Sequence, residues 1–70
     1  MNLNSIIKSI KNNLELESEI YEYESDSIIV YIRHQDYYYA LDELFINLNL
    51  DYKILDSGEN SFIYKFLNLN

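Results

Sequence analysis

The side chains that could do chemistry are few, and most of them are carboxylates. The chain has one histidine, His34, and no cysteine. His34 lies in Arg33-His34-Gln35-Asp36, where Asp36 could orient the imidazole. Nucleophilic catalysis also needs an activated hydroxyl, thiol or amine against that base, and the spacing offers none. A single glycine rules out a glycine-rich phosphate loop. No calcium-loop spacing occurs. Glu15, Glu17 and Glu19 make a poor cation cage, because carboxylates spaced along one face of a strand do not converge on an ion. No catalytic residue, metal site or cofactor is expected. The residues instead suit a protein that acts by binding another macromolecule.

The carboxylates are unevenly placed. Acidic residues number 12 against 5 basic, a formal charge of −7 over 70 residues. Glu15, Glu17, Glu19, Glu22, Glu24 and Asp26 fall in one stretch that contains no Lys or Arg. A second stretch without basic residues, 36–51, holds Asp42 and Glu43. Such a chain repels phosphate backbones and anionic membranes, which excludes direct nucleic-acid or membrane binding and favours a basic protein partner. On an extended strand alternate residues share a face, so Glu15, Glu17 and Glu19 would form a row spaced by roughly 6.6–7 Å. Tyr21 and Tyr23 would continue that row with flat rings able to stack or to meet an Arg. A row of this kind imitates a nucleic-acid backbone. Equally, carboxylates on an edge strand keep sheets from pairing with one another. Tyr39, with Asp42 and Glu43, would form an exposed patch on a helix. The candidate partner-binding residues are therefore Glu15, Glu17, Glu19, Tyr21, Glu22, Tyr23, Glu24, Asp26, Tyr39, Asp42 and Glu43.

The elements that must hold these residues come in two similar sets. Shifted by 34 positions, the halves align without gaps: Asn13 on Asn47, Leu14 on Leu48, Leu16 on Leu50, Ile20 on Ile54, Ser27 on Ser61 and Ile29 on Ile63. Each half reads helix, strand, strand. Leu3, Ile6, Ile7, Ile10 and Leu14 form one helical stripe, with Asn4 or Ser5 as N-cap and Lys8 and Lys11 on the far side. Residues 16–24 alternate as a strand, Ser25-Asp26 turns the chain, and 27–34 is a second strand. Its continuous run Ile28-Ile29-Val30-Tyr31-Ile32 suits an inner position. In the second half Asp36 caps a helix with the stripe Tyr37, Tyr38, Leu41, Leu44, Phe45 and Leu48. Residues 52–55 form a short strand, 56–60 a turn containing the only glycine, and Phe62, Tyr64 and Phe66 alternate along a last strand. The tail, 68–70, is expected to fray. The fold class is α+β, αββαββ: one domain over 1–70, with half-repeats 1–34 and 35–70. It has two layers, a four-stranded mostly antiparallel sheet with both helices on one face. The other face would be partly open, carrying Tyr, Glu and aliphatic side chains. Strand order is not legible.

So short a chain without disulfides depends on packing, and a dimer or bound partner would help it. The start shows no basic region followed by an apolar block and a cleavage site, so a cytoplasmic location is expected. The opening Met1-Asn2-Leu3-Asn4-Ser5-Ile6-Ile7-Lys8-Ser9-Ile10-Lys11-Asn12 resembles the start of small acidic anti-CRISPR proteins of prophages, which inhibit an RNA-guided nuclease of the host. The resemblance covers about the first fifteen residues, the size and the charge. The second αββ unit departs from that pattern, so no residue role is carried over. What the resemblance implies is a phage or mobile-element protein, acting in the host cytoplasm, whose carboxylates meet the Arg and Lys that would hold DNA. The alternative is a small structural or regulatory adaptor that self-associates as a homodimer through its open sheet face.

Overall fold

The computed structural model describes residues 1–14, 19–31, 36–58 and 60–69, with the side chains of Leu14, Asp36 and Tyr37 left aside. The order is α1 (Leu3–Leu14), β1 (Ile20–Glu24), β2 (Ser27–Tyr31), α2 (Asp36–Asn47), β3 (Tyr52–Ser57) and β4 (Ser61–Phe66). The α+β architecture αββαββ is as the pattern predicts. All three strand pairings are antiparallel, and the sheet order is β1-β2-β4-β3. Both hairpins therefore lie side by side, with their second strands inside and their first strands at the two edges.

Apolar periodicity explains the burial. Leu3, Ile6 and Ile10 of α1 and Leu41 and Phe45 of α2 are buried, with Ile7, Leu44 and Leu48 packed beside them. They cover the sheet face built by Ile20, Ile28, Val30, Tyr64 and Phe66. Period 3.6 on the helices thus meets period 2 on the strands in one core. Inner strand β2 buries Ile28 and Val30 completely, whereas Ile29 between them is half-buried on the uncovered face. Ile32, expected to extend this strand, lies outside the described residues.

The repeat is visible in the hydrogen-bond registers. Ile20 pairs with Val30, and adding 34 to each gives Ile54 and Tyr64, which also pair. Glu24 pairs with Ser27, and the same offset gives Gly58 and Ser61, joined by the Gly58 N–H donating to the Ser61 carbonyl at 2.8 Å. Where the two units meet, Ile29 pairs with Ile63, its own counterpart. A pseudo-twofold axis therefore runs through the sheet between these two isoleucines. Each edge strand also carries a bulge, between Glu22 and Glu24 in β1 and between Ile54 and Asp56 in β3.

Several boundaries differ from expectation. Asn2, not Asn4 or Ser5, caps α1: its Oδ1 accepts from the Ser5 N–H at 2.9 Å. Strand β3 runs on through Asp56 and Ser57, because the bulge keeps the chain paired where sequence suggested a turn. The tail from 68 does not fray at its start. The Asn68 side chain accepts from the Asp51 N–H (3.0 Å) and donates to the Asn49 carbonyl (2.9 Å), and Leu69 packs on the core. Helix α2 ends on Asn49, whose φ of 57° is left-handed. The Asn49 N–H donates to the Ile46 carbonyl and the Leu50 N–H to the Phe45 carbonyl, with Leu50 buried beneath. This is a Schellman ending with Asn in place of glycine.

Candidate functional site

Strand β1 presents the acidic, tyrosine-rich surface, but as a ridge rather than a row. Ile20 is its only buried residue; Tyr21, Glu22, Tyr23 and Glu24 are all exposed. Paired residues share a sheet face. Tyr21 sits beside Ile29 on the open face, Glu22 beside Ile28 on the helix-covered side, and Glu24 beside Ser27. Since Ser27 and Ile28 are neighbours in β2, Glu22 and Glu24 point to opposite faces. Simple alternation would have put them together; the bulge at Tyr23 adds one residue and turns Glu24 over. Tyr23 consequently has no cross-strand partner and is the extra residue of the bulge. The expected continuation of a single-faced row through Tyr21 and Tyr23 is corrected to this extent: carboxylates flank both faces of an edge strand.

Glu19 enters from just before β1, its carbonyl accepting from the Tyr31 N–H at 2.8 Å. The Tyr31 ring then meets Tyr21 edge-on, with centroids 6.1 Å apart. Asp26 is tied into the fold. Its Oδ1 accepts from the Ser27 hydroxyl (2.9 Å), its backbone carbonyl from the Phe66 N–H (2.9 Å), and its Oδ2 lies 3.8 Å from Lys65 Nζ. Asp26 therefore fastens the β1–β2 turn to β4, and the half-exposed ion pair adds little by itself. Glu15 and Glu17, the first members of the expected row, lie outside the described residues, as do Arg33 and His34.

Tyr39, Asp42 and Glu43 are exposed on α2, Tyr39 to 71%. Helices cover one face of the sheet, so the outward side of α2 is remote from the open face that carries Tyr21. The structure does not bring these three residues together with the β1 group. It adds Ile46, 62% exposed and seven residues on from Tyr39, which completes a stripe Tyr39-Asp42-Glu43-Ile46 along the outer surface of α2. The signal for Ile46 was available, since it stands off the inward stripe of buried Leu41 and Phe45 and partly buried Leu48. Tyr38, as expected, turns inward, 5.0 Å from Phe62.

The open face is less uniformly acidic than its sequence suggested. Lys53 pairs directly with Lys65 across β3 and β4, on the same face as Ile63 and Ile29. Tyr21, Ile29, Tyr31 and Ile63 make its centre, with acid on the β1 side and Lys53 on the β3 side.

Among the described residues the Tyr64 hydroxyl, in a side chain only 1% exposed, finds no hydrogen-bond partner. Burial raises its pKa well above the ordinary phenol value, and nearby Tyr38 and Asp42 add to the effect. Among the described residues no group of three or more His, Cys, Asp or Glu is placed to hold a metal ion. No described helix is long and apolar enough to cross a membrane. Against protein-family models, curated proteins and solved structures, the chain finds no match.

Proposed function

We propose that this protein is a non-catalytic inhibitor, encoded by a phage or mobile element, that binds a basic nucleic-acid site of a host CRISPR effector nuclease through β1. The observation that carries the reading is the β1 edge itself: Glu22 and Glu24 on opposite faces, Tyr21 and Tyr23 exposed beside them, Glu19 adjoining. A ridge with charge on both flanks fits into a cleft, where arginines approach from two sides, better than onto a flat surface. Its carboxylates pair with Arg and Lys, and its tyrosines supply area and cation–π contacts at small entropic cost. The resemblance of the opening helix, the size and the charge to small anti-CRISPR proteins points to the class of target.

The test is inhibition of target-DNA cleavage by purified effector nucleases, with affinity measured at low and high salt. The double reversal Glu22→Lys/Glu24→Lys is expected to weaken binding by roughly tenfold or more, and the wild-type affinity to fall with salt. Both residues are exposed, so the fold tolerates the change. Unaltered inhibition by that variant overturns the reading. The competing reading, an adaptor that self-associates face to face, is favoured by Ile29 and Ile63 at the centre of the uncovered sheet face. It predicts salt-insensitive dimers and no nuclease binding.

A further inference from the structure

The two sheet edges are not equivalent, and the difference points to a second interaction surface. At β1 the exposed side chains are carboxylates and tyrosines, and a second copy of that edge would meet like charge. At β3 the sequence from Tyr52 to Ser57 reads Tyr-Lys-Ile-Leu-Asp-Ser, with Lys53, Ile54, Leu55 and Asp56 all exposed. Among the described residues neither Lys53 nor Asp56 is in an ion pair. The bulge alters their relation. Lys53 pairs with Lys65 and Asp56 with Ile63, and positions 65 and 63 of β4 share a face. In a regular strand, residues three apart point to opposite faces; here Lys53 and Asp56 lie on the same one.

We propose that β3 is a homodimerisation edge, pairing antiparallel with β3 of a second copy about a twofold axis between Ile54 and Leu55. In that register Lys53 of each copy faces Asp56 of the other and Tyr52 faces Ser57, while Ile54 and the extra residue Leu55 form no face-sharing pair at the axis. The axis is perpendicular to the sheet, so paired residues must share a face, and only the bulged strand meets that condition for Lys53 and Asp56. The pairing offsets the unfavourable juxtaposition of Lys53 with Lys65. It also covers Leu55, 45% exposed, and Ile54 at its margin. The product is a continuous eight-stranded sheet. Its two β1 edges stand at opposite ends, about 34 Å apart at the usual strand spacing. Both acidic ridges stay free, so a dimer would be bivalent toward a basic partner.

The test is sedimentation equilibrium of the purified full chain over a concentration series, for wild type, Lys53→Asp and the swap Lys53→Asp/Asp56→Lys. A wild-type dimer is expected, weakened by about tenfold in Lys53→Asp and regained in the swap, because opposite charges are then again face to face. Circular dichroism of each variant separates loss of pairing from loss of fold. Leu55→Cys supplies a second reading in a chain without cysteine: oxidation should cross-link two copies, whereas Tyr23→Cys on β1 should not. A wild-type monomer at every concentration overturns the proposal. So does a dimer indifferent to Lys53→Asp, or one that cross-links through β1 but not β3. The nuclease-binding reading is tested separately, since Glu22 and Glu24 take no part in this contact.

Discussion

The first and second αββ units share element order, helix placement and the register at Ile20/Val30 and Ile54/Tyr64, though their edge-strand bulges fall two residues apart, at Tyr23 and Leu55, and they fill the core differently. The first contributes Leu3, Ile6, Ile10, Ile20, Ile28 and Val30. The second adds Leu41 and Leu50 but is mainly aromatic. Phe45 lies 5.0 Å from Tyr52, 5.2 Å from Tyr64 and 5.2 Å from Phe66, each edge-on, and Tyr38 tilts against Phe62. The lesson is that the backbone plan follows from where apolar residues fall along helix and strand, and not from which apolar residues they are. The chemistry of the filling decides something else, namely how strongly each half depends on a single side chain. Aliphatic contacts are spread over several branched residues, whereas the aromatic half converges on one ring.

That contrast breaks most easily at Phe45. Phe45→Ala removes the ring shared by three aromatic neighbours and should cost about 3–5 kcal/mol. Small domains of this kind have about that much stability in total, so the variant should be largely unfolded at 25 °C by circular dichroism. The comparable truncation in the aliphatic half, Ile6→Ala, should cost less, about 2–3 kcal/mol, because its contacts are spread over several branched neighbours, and leave a cooperative melt. If both variants melt alike, the aromatic cluster is no more concentrated than the aliphatic one, and the distinction between the halves fails.

The 34-residue offset, the two helical stripes and the alternation of Phe62, Tyr64 and Phe66 made the layers legible, because burial periodicity is written directly into residue type. Strand order was not legible, because it depends on which edges meet and either hairpin strand could lie inside. The bulges were hidden for a related reason. A bulge inserts one residue without changing composition, so Glu22 and Glu24 look like same-face neighbours until Glu24 is seen opposite Ser27. The carboxylate cluster and its tyrosines were readable as a group. Their division between two faces of β1, and the separation of Tyr39, Asp42 and Glu43 from them, were not.

A second difference between the halves sits at Val30 and its counterpart Tyr64, both fully buried. Tyrosine brings a hydroxyl that finds no partner among the described residues. An unsatisfied buried hydroxyl costs about 1–3 kcal/mol, so Tyr64→Phe should be neutral or raise stability by about 1 kcal/mol in urea unfolding at neutral pH. Alkali sharpens the comparison. In the folded chain Tyr64 holds its proton above the ordinary value of 10.0, whereas the unfolded chain releases it near that value. The folded state then binds more protons than the unfolded one, so stability is intact below pH 10.0 and falls as pH rises above it. Tyr64→Phe should lose less stability than wild type between pH 9 and about 11. Equal losses would mean that the hydroxyl is partnered or reaches water.

The smallest expected effect concerns how the second unit is closed. Asn49 holds a left-handed turn at the end of α2, and Asn68 bonds both the Asn49 carbonyl and the Asp51 N–H. These two asparagines latch the chain beyond β4 onto the start of β3. Asn68→Ala removes two exposed hydrogen bonds and should cost about 0.5–1.5 kcal/mol. Asn49→Gly should cost nothing, since glycine adopts the left-handed conformation freely, whereas Asn49→Ala should cost about 1 kcal/mol. Hydrogen exchange would locate the effect. Loss of Asn68 should speed exchange of the Asp51 and Leu67 amides, the latter donating to the Asp51 carbonyl at 2.7 Å. Amides of β2 facing β4 should be unaffected, because Ile29 and Ile63 join the two units at the pseudo-twofold axis, away from the latch. A uniform rise in exchange over both hairpins would mean that the units unfold as one, and that the symmetry of the sheet is matched by a shared cooperativity.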